Sequence, residues 1–462
     1  MTTRSNHRRL PPPIVFVVLG LILLITLPKV APWWRIWQPS DPRSPSSTQS
    51  LTLEDRLSLG EKLLVAPVAT AAKQEGVAAF ARGDYSRATE RFQQSLVQQP
   101  NDPESLIYLN NAKIGNNPAL TIAVSVPIGS NPNVAQEILR GVAQAQQEVN
   151  QQGGLDGRSL RVQIANDDND PELARKLADT LVGNRDILAV VGHNASNASL
   201  GAAPVYQQGG LVLVTPTSIA NQLSNFGSYI FRTVPNLRSM VTPLATYIVQ
   251  QQQLKTIAIC YDSLSPDNVS FRDEFVAALV RLGGQQADAI CDFASPGFNP
   301  TLVMDAIHSG KAEAILLAPH IDRINQAINM AQANQQSLPL YGSTTLYTIQ
   351  TLQQGATDIN GLVLPVPWFP TEPFASNAKQ LWGGEVNWRT ASAYDATKAL
   401  IAGLQQNSSR DGLQAVLRNP NFSAVGASSK VQFLATGDRV GEIVLVKAVV
   451  NQRGHRFSRL EP

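Results

Sequence analysis

Charge is what this sequence has least of. Only 16% of its 462 residues are Asp, Glu, Lys or Arg, against roughly 25% in an ordinary soluble domain. With 37 basic and 35 acidic residues, net +2, it lacks the basic surface a nucleic-acid binder needs to displace counterions. Two Cys and five His leave few candidates for a nucleophile or a general base. The phosphate-loop, zinc-protease, nucleophile-elbow and dinucleotide patterns (GxxxxGK[ST], HExxH, GxSxG, GxGxxG) do not occur. His308 and His320 have no partner at metal spacing. These absences point away from an enzyme and from a metal or cofactor site.

What is present suffices for a large core. The chain is 43% hydrophobic, and its length suggests about three folded units at roughly 150 residues each. Its positive charge is gathered at one end. Residues 1–37 hold Arg4, Arg8, Arg9, Lys29 and Arg35 and no acid, so the remainder carries 32 bases against 35 acids.

That basic start precedes Ile14–Leu27 (IVFVVLGLILLITL). A cleaved signal peptide and an uncleaved signal anchor both begin this way. The only small residue placed for cleavage is Ala31, with Lys29 before it and Pro32 after it, both unfavourable. Residues 10–31 are long enough to span a bilayer, and Trp33, Trp34 and Trp37 stand where an aromatic belt would lie. The balance favours an anchor in the inner membrane, with residues 1–37 as basic tail plus span and the rest exported. Residues 38–50 (QPSDPRSPSSTQS) read as a Pro/Ser-rich linker. Export permits a disulfide. Cys260 and Cys291 each end a strand-like run, and a bridge and two buried thiols are equally compatible with that.

Residues 51–117 read as all helix, with a flanking helix at Leu53–Val65. Gly76, Ala88, Phe92 and Pro100 fall at the positions of a tetratricopeptide repeat. One repeat cannot bury its own face, so this segment needs a neighbour or a protein partner. From Leu120 the pattern alternates. Strands are expected at Leu120–Val126, Leu160–Ala165, Ile187–Val191, Leu211–Val214, Thr256–Cys260, Asp288–Cys291 and Ala314–Leu317. Helices are expected at Val134–Asn150, Pro171–Val182, Ala198–Gln208, Phe271–Leu282 and Arg323–Ala333. This is the rhythm of a doubly wound parallel sheet. Residues 119–462 are too many for one such sheet, so two α/β lobes are expected.

In such sheets the ligand lies beyond the carboxyl ends of the strands. Three turns occupy those places: Pro127–Ser130, Gly192-His193-Asn194-Ala195-Ser196 and Thr215-Pro216-Thr217-Ser218. Their hydroxyls and free N–H groups suit an anion, although Ser and Thr before a helix are commonly N-caps. His193 faces the expected cleft, where an ordinary loop role and a ligand contact are both open. Asp167-Asp168-Asn169-Asp170 lacks the Gly and the closing Glu of a calcium loop, so helix capping is the better reading.

Several pieces recur in a recognisable order: Gly141-x5-Gln147, Asn150-x2-Gly153-Gly154, Asp167-Asp168-x2-Pro171, Val191-Gly192-His193-x2-Ser196, Ala203-Pro204-Val205-Tyr206, Thr215-Pro216 and Phe231-Arg232-Thr233-x-Pro235. Tyr261-Asp262, Gly342-x4-Tyr347, Pro367-Trp368 and Tyr394-Asp395-Ala396 continue it. The set resembles the type I periplasmic solute-binding proteins of ABC transporters, of the leucine/isoleucine/valine-binding kind, over about residues 119–462. The resemblance implies two lobes joined by crossovers, with lobe 1 at about 119–235 and 370–440 and lobe 2 at about 240–366 and 441–455. It implies that lobe 1 holds a ligand carboxylate, with Ser196 as a hydroxyl donor and the backbone at Thr217 as a contact. Asn194, Ser218 and His193 lie in the same turns. Three positions depart from the family pattern: Ile219 replaces a Thr, Asp267 a Tyr, and Thr344 the acid that meets an ammonium. Asp267 becomes the candidate to supply that charge.

The expectation is an exported, tethered, non-enzymatic binding protein. It would take a small polar solute, amino-acid-like or a related carboxylate or amide, and pass it to an ABC permease. A sensor or scaffold on the same fold, using residues 51–117 as its protein-binding surface, is the alternative.

Overall fold

The structure is a computed structural model and describes residues 51–65, 69–451 and 454–460. The anchor expected at residues 10–31 and the linker at 38–50 lie outside these. Among the described residues no helix is long and apolar enough to cross a membrane.

The described chain does not open with the expected helix at Leu53–Val65. A single turn at Glu54–Arg56 leads into β1 (Leu57–Ser58), which pairs antiparallel with β3 (Ser159–Asn166) through Leu57↔Ala165 and Ser58↔Ile164. The reason is tertiary. The outer edge of β3 would otherwise leave backbone groups unpaired, and Leu57 enters a core beneath the sheet.

Three helices follow: α1 (Ala71–Ala81), α2 (Tyr85–Gln98) and α3 (Pro103–Ile114). Gly76 admits the ring of Phe92, since a Cβ there would lie 2.8 Å from it. Lys73, 1% exposed, places its Nζ 2.7 Å from both Asp102 and Glu104. Glu104 also accepts from the N–H of Leu64 and Val65 and from the Tyr108 hydroxyl. The segment finds its neighbour within the chain. Asn111 of α3 donates to the carbonyls of Leu59 and Val162, while its Oδ1 accepts from the Val162 N–H.

The first sheet contains β2 (Ala119–Val126), β3, β4 (Ile187–Val191), β5 (Val212–Thr215) and β6 (Ile230–Arg232), in the order β1-β3-β2-β4-β5-β6 with β2 to β6 parallel. Its crossovers are α4 (Pro132–Gln151), α5 (Pro171–Gly183) and α6 (Ser196–Gly209). Both faces are covered, so alternation sorts apolar residues to two cores rather than to core and water. Ile122, Val124, Val212 and Val214 enter the larger core. Ala123 and Leu213, between them, enter a smaller one with Leu177, Leu181 and Tyr206 of α5 and α6. Asp170 caps α5 through the Leu173 N–H at 2.7 Å.

The second sheet follows α7 (Leu237–Thr246). It is built with β7 (Thr256–Tyr261), α8 (Pro266–Arg281), β8 (Gln285–Gln286), β9 (Cys291–Asp292), α9 (Pro300–Ser309), β10 (Ala314–Ala318), α10 (Ile324–Asn334), β11 (Leu340–Gly342), α11 (Ile349–Gly355) and β12 (Val363–Val366). The chain then returns to the first sheet with α12 (Phe374–Trp382), α13 (Trp388–Gln406), α14 (Arg410–Leu417) and the hairpin β13 (Ala424–Val425) and β14 (Lys430–Val431). It rejoins the second through β15 (Val444–Asn451) and β16 (Gly454–Arg459). The second sheet runs β16-β15-β12-β11-β10-β7-β8, with β9 beside β7.

The single strand expected at Asp288–Cys291 is split. Ile257↔Gln286 and Cys260↔Cys291 both pair, so three steps on β7 face five on the partner, and the surplus bulges outward. Ile290 is left 87% exposed. Cys260 and Cys291 are joined in a disulfide.

Two contacts define how the sheets are linked. Arg232, 1% exposed at the end of β6, donates to Asp438, to the Ala220 carbonyl and to Ser224. Arg439 pairs with Asp395 and donates to the Thr233 carbonyl. The first and third passages between the sheets are therefore tied together. Asp395 also accepts from the Ala427 N–H at 2.6 Å, ordering the β13–β14 hairpin.

Candidate functional site

The carboxyl ends of the two sets of strands face one another. The turns after β4 and β5 bring Asn194, Ala195, Thr217 and Ile219. The turns after β10 and β11 bring His320, Ile321, Thr344 and Thr345, while α8 brings Asp267 and the start of α13 brings Trp388 and Arg389. Together they line a cavity of about 30 Å³, far below the roughly 300–1,000 Å³ of a ligand pocket. The cleft is therefore narrow. Asn221 beside it donates to Glu274 of α8 at 3.1 Å, and Ser270 of α8 bonds the Asn221 N–H and the Gln222 side chain, both at 3.3 Å.

Of the residues named from sequence, Asn194, Thr217, Asp267 and Thr344 come together around this cavity. His193, Ser196 and Ser218 do not line it. The His193 ring is fully buried, with Nδ1 2.6 Å from Asp167 and Nε2 3.2 Å from the Tyr206 hydroxyl. Burial, then the Asp167 charge, push the Tyr206 hydroxyl well above its ordinary pKa. Ser196 Oγ accepts from the N–H groups of Ile219 and Ala220. Ser218 Oγ lies 2.7 Å from Ser199 Oγ and within reach of the His193 and Asn194 carbonyls. These three knit the turns together.

The cavity hydroxyls are also engaged. Thr217 donates to the Asn194 carbonyl at 2.8 Å, and Thr344 to the Pro365 carbonyl at 2.7 Å. Each hydroxyl has one proton, so neither has a donor left for a ligand. His320 and Asp322 are coupled beside them. Burial works against a charged His320, but the bond to Asp322 and the fields of Asp267 and Asp262 outweigh it and raise its pKa. The same bond, with help from Asn131 of the first lobe, holds Asp322 below the usual carboxylate range.

Arg389 is the residue that sequence reasoning missed. It is 3% exposed, and its guanidinium sits 4.7 Å over the Trp388 ring. Its one carboxylate neighbour, Glu137 of α4, is 3.6 Å away, beyond hydrogen-bond range. Arg389 Nε and Nη1, Glu137 Oε2 and Trp388 Nε1 are all buried without a hydrogen-bond partner. Burial lowers the Arg389 pKa and raises that of Glu137, each against the attraction of the other. A signal existed: a cation in the first turn of a helix opposes the helix dipole, and Arg389 is the second residue of α13.

A larger hollow of about 780 Å³ lies alongside, lined by Tyr347, Trp368, Phe369, Trp382 and Phe457 and reached by Glu137 and Arg140. Trp368 also packs edge-on against Phe374, ring centres 5.9 Å apart. Among the described residues no group of three His, Cys, Asp or Glu could hold a metal ion.

Two doubly wound sheets closing on a shared cleft define a two-lobed binding fold. Residues 119–449 match the profile of the periplasmic binding protein family, and the chain belongs to that family. It is 30% identical over 145 residues to an amino acid binding protein of Pseudomonas aeruginosa, an alignment spanning 31% of this chain and 39% of that relative. It is 24% identical over 332 residues to Leu/Ile/Val-binding protein homolog 3 of Brucella melitensis, spanning 69% of this chain and 88% of the relative. An ABC transporter substrate-binding protein from Desulfitobacterium hafniense in complex with Leu shares the fold at a TM-score of 0.63 and 23% identity. That match covers 74% of this chain and 100% of the other. A solute-binding protein from R. palustris in complex with 4-hydroxybenzoate shares it at 0.66 and 14%, covering 74% and 96%. The matched residues leave the helical segment at 71–114 outside them.

Proposed function

We propose that this chain is an extracytoplasmic solute-binding protein. It captures a small polar ligand, amino-acid-like or a related carboxylate or amide, between its lobes and delivers it to an ABC permease. Residues 10–31 tether it to the inner membrane. The observation that carries the reading is the inter-lobe cavity, lined by Asn194, Thr217 and Thr344 from strand-end turns and by Asp267 from α8. Ligand pockets usually hold 300–1,000 Å³, so about 30 Å³ means that entry requires the lobes to part about their crossovers. The family match and the relatives named as amino-acid-binding proteins support the solute class. The Cys260–Cys291 bridge is in keeping with an oxidising compartment.

The test is a thermal-shift screen of the full chain with amino acids, small carboxylates and amides. A native-state ligand raises the midpoint by mass action, about 2.7 kcal/mol at a hundredfold excess over Kd. Midpoints that stay level across the panel, in a folded protein, would sink the reading. A sensor is the second reading, and one observation favours it. The helical segment is fixed to the first lobe through Asn111 and β1, so lobe movement would carry that surface with it.

A further inference from the structure

We propose that Arg389 is the anion receptor of the cleft, so that the captured solute is a carboxylate held by the start of α13 rather than by the hydroxyls of the strand-end turns. This rests on the solute-binding reading above. The first support is what the hydroxyl donors are doing. Thr217 and Thr344 have given their protons to backbone carbonyls, and Ser196 and Ser218 lie outside the cavity lining.

The second support is the state of Arg389 itself. A guanidinium is hydrogen-bonded when buried, because an unpaired buried charge is expensive. Arg389 is 3% exposed, yet Nε and Nη1 have no acceptor. Nε–H, like the equally unpartnered Trp388 indole N–H, is a buried donor without an acceptor, and a carboxylate in the cleft would supply one. Ile219, Ile321 and Trp388 supply apolar wall, and Asp267 with the Thr217 and Thr344 oxygens offers acceptors for a donor elsewhere on the same solute.

The test is calorimetric titration of the full chain with three matched acid and amide pairs: L-leucine and L-leucinamide, 4-hydroxybenzoate and 4-hydroxybenzamide, isovalerate and isovaleramide. For a pair that binds, the acid should bind about 30-fold or more tightly than its amide, about 2 kcal/mol. Arg389→Gln should bring the ratio of acid to amide affinity close to one. Should Arg389→Gln fail to fold, the wild-type acid-to-amide ratio and Arg389→Lys decide the matter, since Lys keeps the charge without the planar fork and should retain a reduced preference. Acid and amide binding equally, or a preference that survives in Arg389→Gln, overturns the assignment and leaves solute binding intact. Absence of heat with all six probes, in a folded protein, overturns both.

Discussion

Adding one methyl group at Gly141 should disrupt the helix pair that positions Arg389. A Cβ built on Gly141 of α4 would lie 2.2 Å from the Thr390 carbonyl oxygen, 2.5 Å from the Tyr394 nitrogen and 2.9 Å from the Ala393 Cβ, all on α13. Two of the three are backbone atoms and cannot swing aside, so the helices must separate by more than an ångström. Overpacking of this kind costs about 1–3 kcal/mol, and the upper end applies against backbone. Gly→Ala in a helix interior returns about 1 kcal/mol. Gly141→Ala should therefore lose about 2 kcal/mol net, which at about 2–4 °C per kcal/mol lowers the thermal midpoint by about 4–8 °C. The matched control is Gly183→Ala in α5, where a Cβ meets nothing within 4 Å. It should be neutral or stabilising by about 0.4–1 kcal/mol. Scanning calorimetry of the two variants reads opposite signs. Equal midpoints would refute the close approach of α4 and α13. Because Thr390 also donates to the Glu137 carbonyl at 2.9 Å, Gly141→Ala should in addition widen the Arg389–Glu137 gap and weaken acid binding.

Lys73→Met should strand Asp102 and Glu104 in a buried site, a loss of about 3–5 kcal/mol. Hydrogen exchange should accelerate across residues 71–114, and unchanged protection there would count against the buried triad. Replacing Cys260 and Cys291 by Ser opens a link across 31 residues and should cost roughly 3–4 kcal/mol. Urea unfolding compares the variant with the oxidised protein, and coincident curves would show the bridge to be energetically silent. His320 should make stability pH-dependent. Its pKa in the folded chain is raised above the ordinary 6.5, so the folded state holds the proton more tightly than the unfolded. The gain is full below pH 6.5 and is lost as pH rises through the folded value. The midpoint gap between wild type and His320→Gln should therefore shrink between pH 6 and 9, and a constant gap would refute the coupling to Asp322 and Asp267.

Much of the architecture is legible in the order of residues. The strands at 119–126, 159–166 and 187–191 and the helices between them follow from apolar runs and turn chemistry that lie side by side in the chain. Asp170 before Pro171 marks its helix because a cap bonds a donor only three residues away. The expected helix at Leu53–Val65 failed for the opposite reason: its partner, β3, lies about a hundred residues downstream. The site divides along the same line. Strand-end position pointed to Asn194 and Thr217, and the family resemblance to Asp267 and Thr344; all four line one cavity. They could not show that Ser196 would be taken up by N–H groups 23 and 24 residues later, or His193 by Asp167.

By itself, then, the sequence determined the alternation of strand and helix, the caps and the kinship with periplasmic binding proteins, all of which rest on local period and ordered motifs. The tertiary structure decided which polar groups remain free. Hydrogen-bond satisfaction is a property of packed neighbours, and Arg389 meets Glu137 as an ion pair without a hydrogen bond because α4 and α13 bring the two to 3.6 Å and no closer.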